Sequence, residues 1–214
     1  MSCVRSVFSL LLTTAFLLTG HGIHMTFLPL LASDIGLSQA MIGISGSAYF
    51  LGFISGAMVT PHIIAKVGHI RSFTTLMAVL LCCFQILPLT DSATVWIVVR
   101  FLLGAVMCGA YTVVESWLSD QADATSHGRV LGVYTMVVLG AMALGQGFLS
   151  ITYGEVTQVF AVISILIGCA IIPVSLTSSL APAPVPATRI DFIKLYQRSH
   201  TAFAGALGSG MIIG

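Results

Sequence analysis

Residues 100–134 read RFLLGAVMCGAYTVVESWLSDQADATSHGRVLGVY. This stretch is an apolar run that opens with an arginine, crosses a short polar loop and resumes as a second apolar run. At about 100° per residue, four of its residues fall on one side of a helix and form a polar stripe: Arg100, Gly104, Tyr111 and Glu115. A charged side chain near the bilayer centre costs at least about 2.5 to 3.5 kcal/mol, so such an arginine normally faces a partner or a wet cavity. The stretch therefore predicts two membrane helices in a bundle that encloses a polar space.

Composition indicates the same class of protein. The chain is 57% hydrophobic and only 7% charged, and its mean hydropathy is +1.05, which predicts an all-α membrane protein whose partner is the lipid bilayer. A net charge of +1 leaves no basic footprint for nucleic acid. The five cysteines lack CxxC spacing, and we interpret them as packing residues rather than metal ligands or disulfides. No cofactor is predicted.

Six apolar runs have the length of about 20 residues that a bilayer crossing needs. They lie near residues 8–31, 41–64, 73–90, 93–116, 130–153 and 158–176. The first run continues beyond Gly22 to Leu31 without a cleavage site, so we expect a retained helix rather than a signal peptide.

The basic residues predict the orientation of these helices. Seven of the eight fall at the amino terminus or in the second, fourth and sixth loops: Arg5, Lys66, Arg71, Arg129, Arg189, Lys194 and Arg198. Cytoplasmic loops carry an excess of Lys and Arg, so the N-terminus is predicted to be cytoplasmic.

Three segments are predicted along the chain. Residues 1–177 form a six-helix transmembrane bundle, and residues 178–200 form a cytoplasmic loop that is first proline-rich and then amphipathic. Residues 201–214 begin a seventh helix that ends about fourteen residues into its apolar run, although a helix broken in mid-bilayer leaves backbone groups unpaired. Our interpretation is the first half of a longer protein, or a truncated product.

Four motifs resemble those of the major facilitator superfamily of transporters. Arg100-x3-Gly104-x4-Gly109 is similar to its arginine-glycine motif, and AKVGHIRS at 65–72 resembles its signature loop, with Lys66, Gly68 and Arg71. HGRVLG at 127–132 resembles its entry to helix five, and Gly52 with Gly56 gives its close-packing spacing in helix two.

The resemblance implies the amino-terminal half of that fold, a 3+3 inverted repeat, together with the start of helix seven. The second bundle is absent from this chain. In the resembled fold, helices one, two, four and five line the cavity. Two departures matter: Ala65 replaces the signature aspartate, and helix five contains no proline. The pattern is similar to a poorly characterised bacterial subgroup with Glu-Ser-Trp at the end of helix four, which implies the bacterial cytoplasmic (inner) membrane.

The candidate substrate or coupling residues begin with Arg100, whose alternative is an interfacial arginine on a helix that starts later. His21 and His24 share one face of helix one, and the flanking Gly20 and Gly22 favour an irregular turn that lines a wet cavity. These imidazoles would bind substrate or carry a proton. The alternative is two neutral histidines bonded to neighbouring helices. No carboxylate or thiol is placed to complete a metal site.

Further candidates are neutral or structural. Tyr49, Tyr111 and Gln146 are polar groups in apolar runs and are expected to face the bundle interior or each other. Glu115 and Arg129 form either an ion pair between helices four and five or two solvated helix ends. The remaining gating or structural candidates are Lys66, Gly68, Arg71, Gly52, Gly56, Gly104 and Gly109.

Three functions compete. The leading prediction is a non-enzymatic secondary transporter that moves a small solute by alternating access, coupled to an ion such as the proton, since no GxxxxGK[ST] loop is present. A membrane-embedded enzyme would use His21, His24 and Glu115, but no GxSxG or HExxH motif supports it. The third possibility is a non-transporting fragment or scaffold. The substrate, the coupling ion and the direction of transport stay open.

Overall fold

The computed structural model of the protein describes residues 2–122, 126–152 and 155–176. These ranges contain six α-helices and no β-strand, and every helix is long and apolar enough to cross a membrane. All six predicted spans and the all-α membrane fold class are confirmed. The helices are α1 Ser2–Asp34, α2 Gln39–Val67, α3 His69–Ile86, α4 Ala93–Gln121, α5 His127–Thr152 and α6 Val156–Ser175. The predicted central loop at 178–200 and the start of helix seven at 201–214 lie outside the described residues.

Local chemistry sets the helix boundaries. The hydroxyl of Ser38 caps α2 by accepting a hydrogen bond from the amide of Met41 at 3.3 Å. Gly68 separates α2 from α3 with φ +82°, a conformation that glycine adopts without steric cost. Helix α3 ends earlier than predicted, because Pro88 lies in a 3₁₀ turn at Leu87–Leu89.

The packing order of the helices reveals an internal pseudo-symmetry. Helix α2 packs most extensively on α4 and α1 on α5, while α1 also packs on α6 and α3 on α4. The first three helices can be matched in order with the last three, so that α1 corresponds to α4, α2 to α5 and α3 to α6. Under this match the α2–α4 contact corresponds to the α1–α5 contact, and the α1–α6 contact corresponds to the α3–α4 contact. Since each unit has an odd number of helices, the second unit crosses the membrane in the opposite sense. The arrangement is that of the expected 3+3 inverted repeat.

Glycines bring the backbones of α2 and α4 together. A β-carbon at Gly52 or Gly56 would overlap the carbonyl groups of Phe101 and Ala105, and Gly104 of α4 approaches the α2 backbone in the same way. Small residues at such positions allow close approach and strong van der Waals packing between membrane helices. The α2–α4 seam is therefore fixed in register by backbone contact.

The α1–α5 seam is built in the same way. A β-carbon at Gly22 would overlap the carbonyl oxygen of Met142, and one at Gly145 would overlap that of Thr19. Helix α1 continues without interruption through Gly20 and Gly22. The expectation of an irregular turn there is wrong, because the space freed by Gly22 is filled by a neighbouring helix rather than by a change of backbone conformation.

Helices α2 and α5 each have one face that no described residue covers. Apolar side chains on these faces are exposed, including Leu51, Ile54, Met136, Leu139 and Leu144. Helix α4 is the most enclosed, and its largest fully buried side chains are Trp96 and Trp117. A charged residue on the inward side of α4 is consequently remote from lipid.

Candidate substrate site between helices α1, α2 and α4

Arg100 lies inside the bundle. Helix α4 begins at Ala93, so Arg100 is seven residues, or about 10 Å, along the helix, and its side chain is only 7% exposed. The alternative of an interfacial arginine on a later-starting helix is therefore wrong. The guanidinium carbon lies over the ring of Tyr49, 5.0 Å from its centroid, and Nη1 is buried without a hydrogen-bond partner. Among the described residues no carboxylate pairs with this cation.

Two histidines of α1 extend the polar group around Arg100. The Tyr49 hydroxyl lies 3.4 Å from Nε2 of His21, and the ring centroids of His21 and His24 are 5.5 Å apart. The ring of His24 meets the ring of Phe84 edge to face at 4.6 Å. We call Arg100, Tyr49, His21 and His24 the polar cluster. It joins α1, α2 and α4 at one depth of the bundle.

The polar cluster is short of hydrogen bonds. Both ring nitrogens of His24 and Nδ1 of His21 are buried and have no hydrogen-bond partner in the described part of the chain. The side chain of His24 is fully buried. The alternative of histidines bonded to neighbouring helices applies to His21, which reaches Tyr49, and not to His24. A buried polar group without a partner costs about 1 to 3 kcal/mol, more if it is charged, so such groups mark functional sites.

A cleft of about 90 Å³ opens beside Arg100. The polar side chains in its wall are already engaged, since Ser45 donates to the carbonyl of Ile42 at 2.9 Å and Trp96 Nε1 donates to the carbonyl of Thr90 at 2.9 Å. Of the lining side chains, Arg100 alone keeps an unpaired buried nitrogen. The cleft is lined by Leu28, Pro29, Ala32, Ile42, Ser45, Gly46, Trp96 and Arg100.

The other neutral candidates take different positions. Tyr111 is half-buried, and its ring is 6.3 Å from that of Phe53, which is itself 6.4 Å from that of Tyr49. Tyr111 therefore lies further along the α2–α4 seam. Gln146 is exposed on α5. The expectation that it faces the bundle interior is wrong, because Gly145 takes the position against α1 and Gln146 points about 100° away from it.

Glu115 and Arg129 are both exposed. The carboxylate of Glu115 accepts a hydrogen bond from the hydroxyl of Tyr134 at 3.1 Å. Within the described parts of α4 and α5 no ion pair joins Glu115 to Arg129. Arg129 lies five residues from Tyr134, about 140° round the helix, so it does not share the face of α5 that meets α4. The ion pair stays a prediction for another conformation.

The signature loop places its residues at the junction of α2 and α3. Lys66 and Arg71 are exposed on either side of Gly68, which makes the turn. Sequence reasoning missed His69, which is 2% exposed and whose Nε2 lies 3.1 Å from Oγ of Ser116 in α4. Its only signal in the sequence is its place directly after the turn glycine.

The candidate glycines of α2 and α4 all lie in helix interfaces. At Gly109 a β-carbon would lie 2.8 Å from Oγ1 of Thr60 and 3.0 Å from Cδ1 of Leu76, so this residue admits both α2 and α3 to the surface of α4. It joins Gly52, Gly56 and Gly104, which hold the α2–α4 seam beside the polar cluster.

The chain has six helices that can cross a membrane, and they form two three-helix repeats around a buried cationic site. This arrangement is that of an integral membrane protein with the architecture of a transporter. The chain belongs to the Major Facilitator Superfamily, whose family model matches residues 10–214. This membership confirms the resemblance, and the six helices are the amino-terminal half of the superfamily fold.

Curated relatives carry the same family name. The chain is similar to the "Uncharacterized MFS-type transporter YcaD" of Escherichia coli O7:K1 (strain IAI39 / ExPEC), with 27% identity over 208 residues, which is 96% of this chain and 54% of the relative. It is also similar to YcaD of Escherichia coli (strain K12), with 26% identity over 217 residues, which is 100% of this chain and 57% of the relative. The chain thus spans about half the length of the curated relatives it matches.

Proposed function

We propose that this transporter is a secondary active carrier that moves a small solute across the bacterial cytoplasmic membrane by alternating access, coupled to the proton. One observation carries the proposal. The polar cluster holds a cation and two imidazoles in the interior of a membrane bundle with unpaired nitrogens. Such groups are costly where only stability is at stake, and they are expected where a solute supplies the missing partners.

The open faces of α2 and α5 support the alternating-access part of the proposal. Their exposed apolar side chains suit a second bundle that would pack against them and rock about the polar cluster. The distribution of Lys and Arg supports a cytoplasmic N-terminus. An imidazole nitrogen can accept and release a proton, so the unpaired ring nitrogens of His21 and His24 support the proton as the coupling ion.

Proteoliposomes that contain the purified protein and a trapped pH dye test this function. We expect addition of a transported solute to move protons in the same vesicles that accumulate the radiolabelled solute. Arg100→Gln should abolish both signals, whereas Glu155→Gln, which removes an exposed charge at the start of α6, should leave solute accumulation largely intact. Chemical turnover without accumulation would favour an enzyme, and neither signal would favour a scaffold. Accumulation without proton movement would remove the proton from the mechanism.

A further inference from the structure

We infer that the polar cluster recognises a small monocarboxylate, with its anionic head on Arg100 and its short apolar body in the cleft beside it. This inference rests on the proposed transport function and names the class of solute. Four features of the described residues carry it: the uncompensated charge, the free donors, the shape of the cleft and its place in the bundle.

Among the described residues, Arg100 has no carboxylate as a counter-ion. Its guanidinium carbon lies over the face of Tyr49, and the imidazoles of His21 and His24 are close enough to feel its charge. The carboxylate of Asp34 follows His24 by ten residues, which is about 15 Å along α1. Asp91 lies in the loop before α4. A buried unpaired cation is strongly unfavourable, so the partner of Arg100 is expected to be an anion that arrives with the solute.

The donors of the polar cluster match a carboxylate. A guanidinium group has five N–H donors and no acceptor, and a carboxylate accepts two parallel hydrogen bonds from it. The guanidinium carbon lies 5.0 Å from the centroid of the Tyr49 ring, and Nη1 has no hydrogen-bond partner among the described residues. Either tautomer of neutral His24 adds one more donor. One permanent positive charge balances one negative charge, whereas a phosphate carries more charge and more acceptor oxygens than these donors satisfy.

The cleft limits the body of the solute. Its volume of about 90 Å³ is smaller than the roughly 150 Å³ engineered cavity that holds benzene, so we expect a body of about two to four carbons. Leu28, Ile42 and Trp96 make its walls apolar, and the polar atoms of Ser45 and Trp96 are held by the backbone. A short aliphatic chain fits this lining better than a polyhydroxylated one.

The cleft lies to one side of Arg100. Three of its lining residues each lie one helical turn from a member of the polar cluster. Leu28 lies four residues after His24, and Ser45 lies four residues before Tyr49. Trp96 lies four residues before Arg100. This places the cleft towards the end of the bundle where α1 ends and where α2 and α4 begin. In the proposed orientation this end faces the exterior, so the carboxylate head enters first and meets Arg100 at the inner end of the cleft.

Thermal unfolding and calorimetry of the full chain in detergent test the inference with propionate, the neutral isostere propionamide and inorganic phosphate, at constant ionic strength. We expect a saturable rise in Tm with propionate only. Arg100→Gln should weaken propionate binding at least tenfold, and Arg100→Lys, which keeps the charge but loses the planar fork, at least threefold. The control Glu155→Gln, which removes an exposed charge at the start of α6, should bind propionate as the parent chain does.

A variant of the cleft separates head from body. Leu28→Phe keeps Arg100 but fills the cleft, so it should weaken the binding of propionate while formate still binds. This variant also tests the inference if Arg100→Gln fails to fold. The inference would be overturned if propionamide bound as tightly as propionate, or if phosphate alone gave saturable binding. It would also be overturned if neither Arg100→Gln nor Leu28→Phe weakened the binding of propionate. Transport of another solute without propionate binding would defeat this inference alone. Propionate binding without flux would defeat the proposed transport alone.

Discussion

Replacement of Gly104 by alanine tests whether backbone contact holds the α2–α4 seam. A β-carbon there would overlap the carbonyl oxygen of Tyr49 and lie 3.0 Å from the amide nitrogen of Phe53. Both neighbours are backbone atoms, so no side chain can rotate away, and α2 must move outwards by about 1.5 Å to restore an ordinary contact of about 3.4 Å. Overpacking of this kind costs about 1 to 3 kcal/mol.

Gly140→Ala in α5 is the matched control. It makes the same chemical change in a helix, but nothing lies within 4 Å of its β-carbon. The gain in helix propensity, up to about 1 kcal/mol, is common to both variants and cancels in the comparison. We therefore expect Gly104→Ala to be less stable than Gly140→Ala by about 1 to 3 kcal/mol, a difference in Tm of about 2 to 12 °C.

The assay is the folded fraction that survives heating in detergent, measured by size-exclusion chromatography of a fluorescent fusion. If Gly104→Ala survives heating as well as Gly140→Ala, the α2–α4 seam is looser than the backbone contacts indicate. Agreement should extend to Gly52→Ala, which inserts a β-carbon against the carbonyl of Phe101 across the same seam.

Four further outcomes are expected. His24→Leu removes two unpaired buried nitrogens and should raise stability by about 1 kcal/mol while transport falls; a loss of stability in thermal unfolding would show that His24 has a partner. Reporters fused after Arg71 or Arg129 should be active in the cytoplasm and those after Asp34 or Asp91 outside, and the reverse pattern would invert the proposed orientation. Charge reversal at Glu115 or Arg129 should impair uptake, and exchanging the two should restore part of it; an exchange no better than the worse single variant would refute the pair. Cysteine at position 100 in a cysteine-free background should react with a small water-soluble thiol reagent, and full protection in every transport state would place Arg100 outside the pathway.

The spans could be predicted from the sequence because the requirement for about 20 apolar residues is local. The helices extend past the apolar runs, as α2 does to Val67 and α4 to Gln121, because a helix keeps its backbone bonds after its side chains turn polar. The inward position of Arg100 was equally predictable, since the cost of exposing it to lipid depends on this residue alone.

The pairing of helices could not be predicted in the same way. Gly22 suits either an irregular turn or a close helix contact, and only the position of Met142 on α5 distinguishes them. The contact of Arg100 with Tyr49 depends on the register between α2 and α4. The exposure of Gln146 was equally unpredictable, because it depends on which residue of α5 packs against α1.

The two glycine seams divide the bundle into two stiff bodies, α1 with α5 and α2 with α4. Within each body the backbones touch and cannot slide without breaking close packing, whereas the polar cluster lies across the boundary, with His21 and His24 on one body and Tyr49 and Arg100 on the other. A molecule that makes hydrogen bonds to both Arg100 and His24 would connect the two helix pairs. Its affinity would then change whenever they shift, so occupancy of the site and the shape of the bundle would be thermodynamically linked.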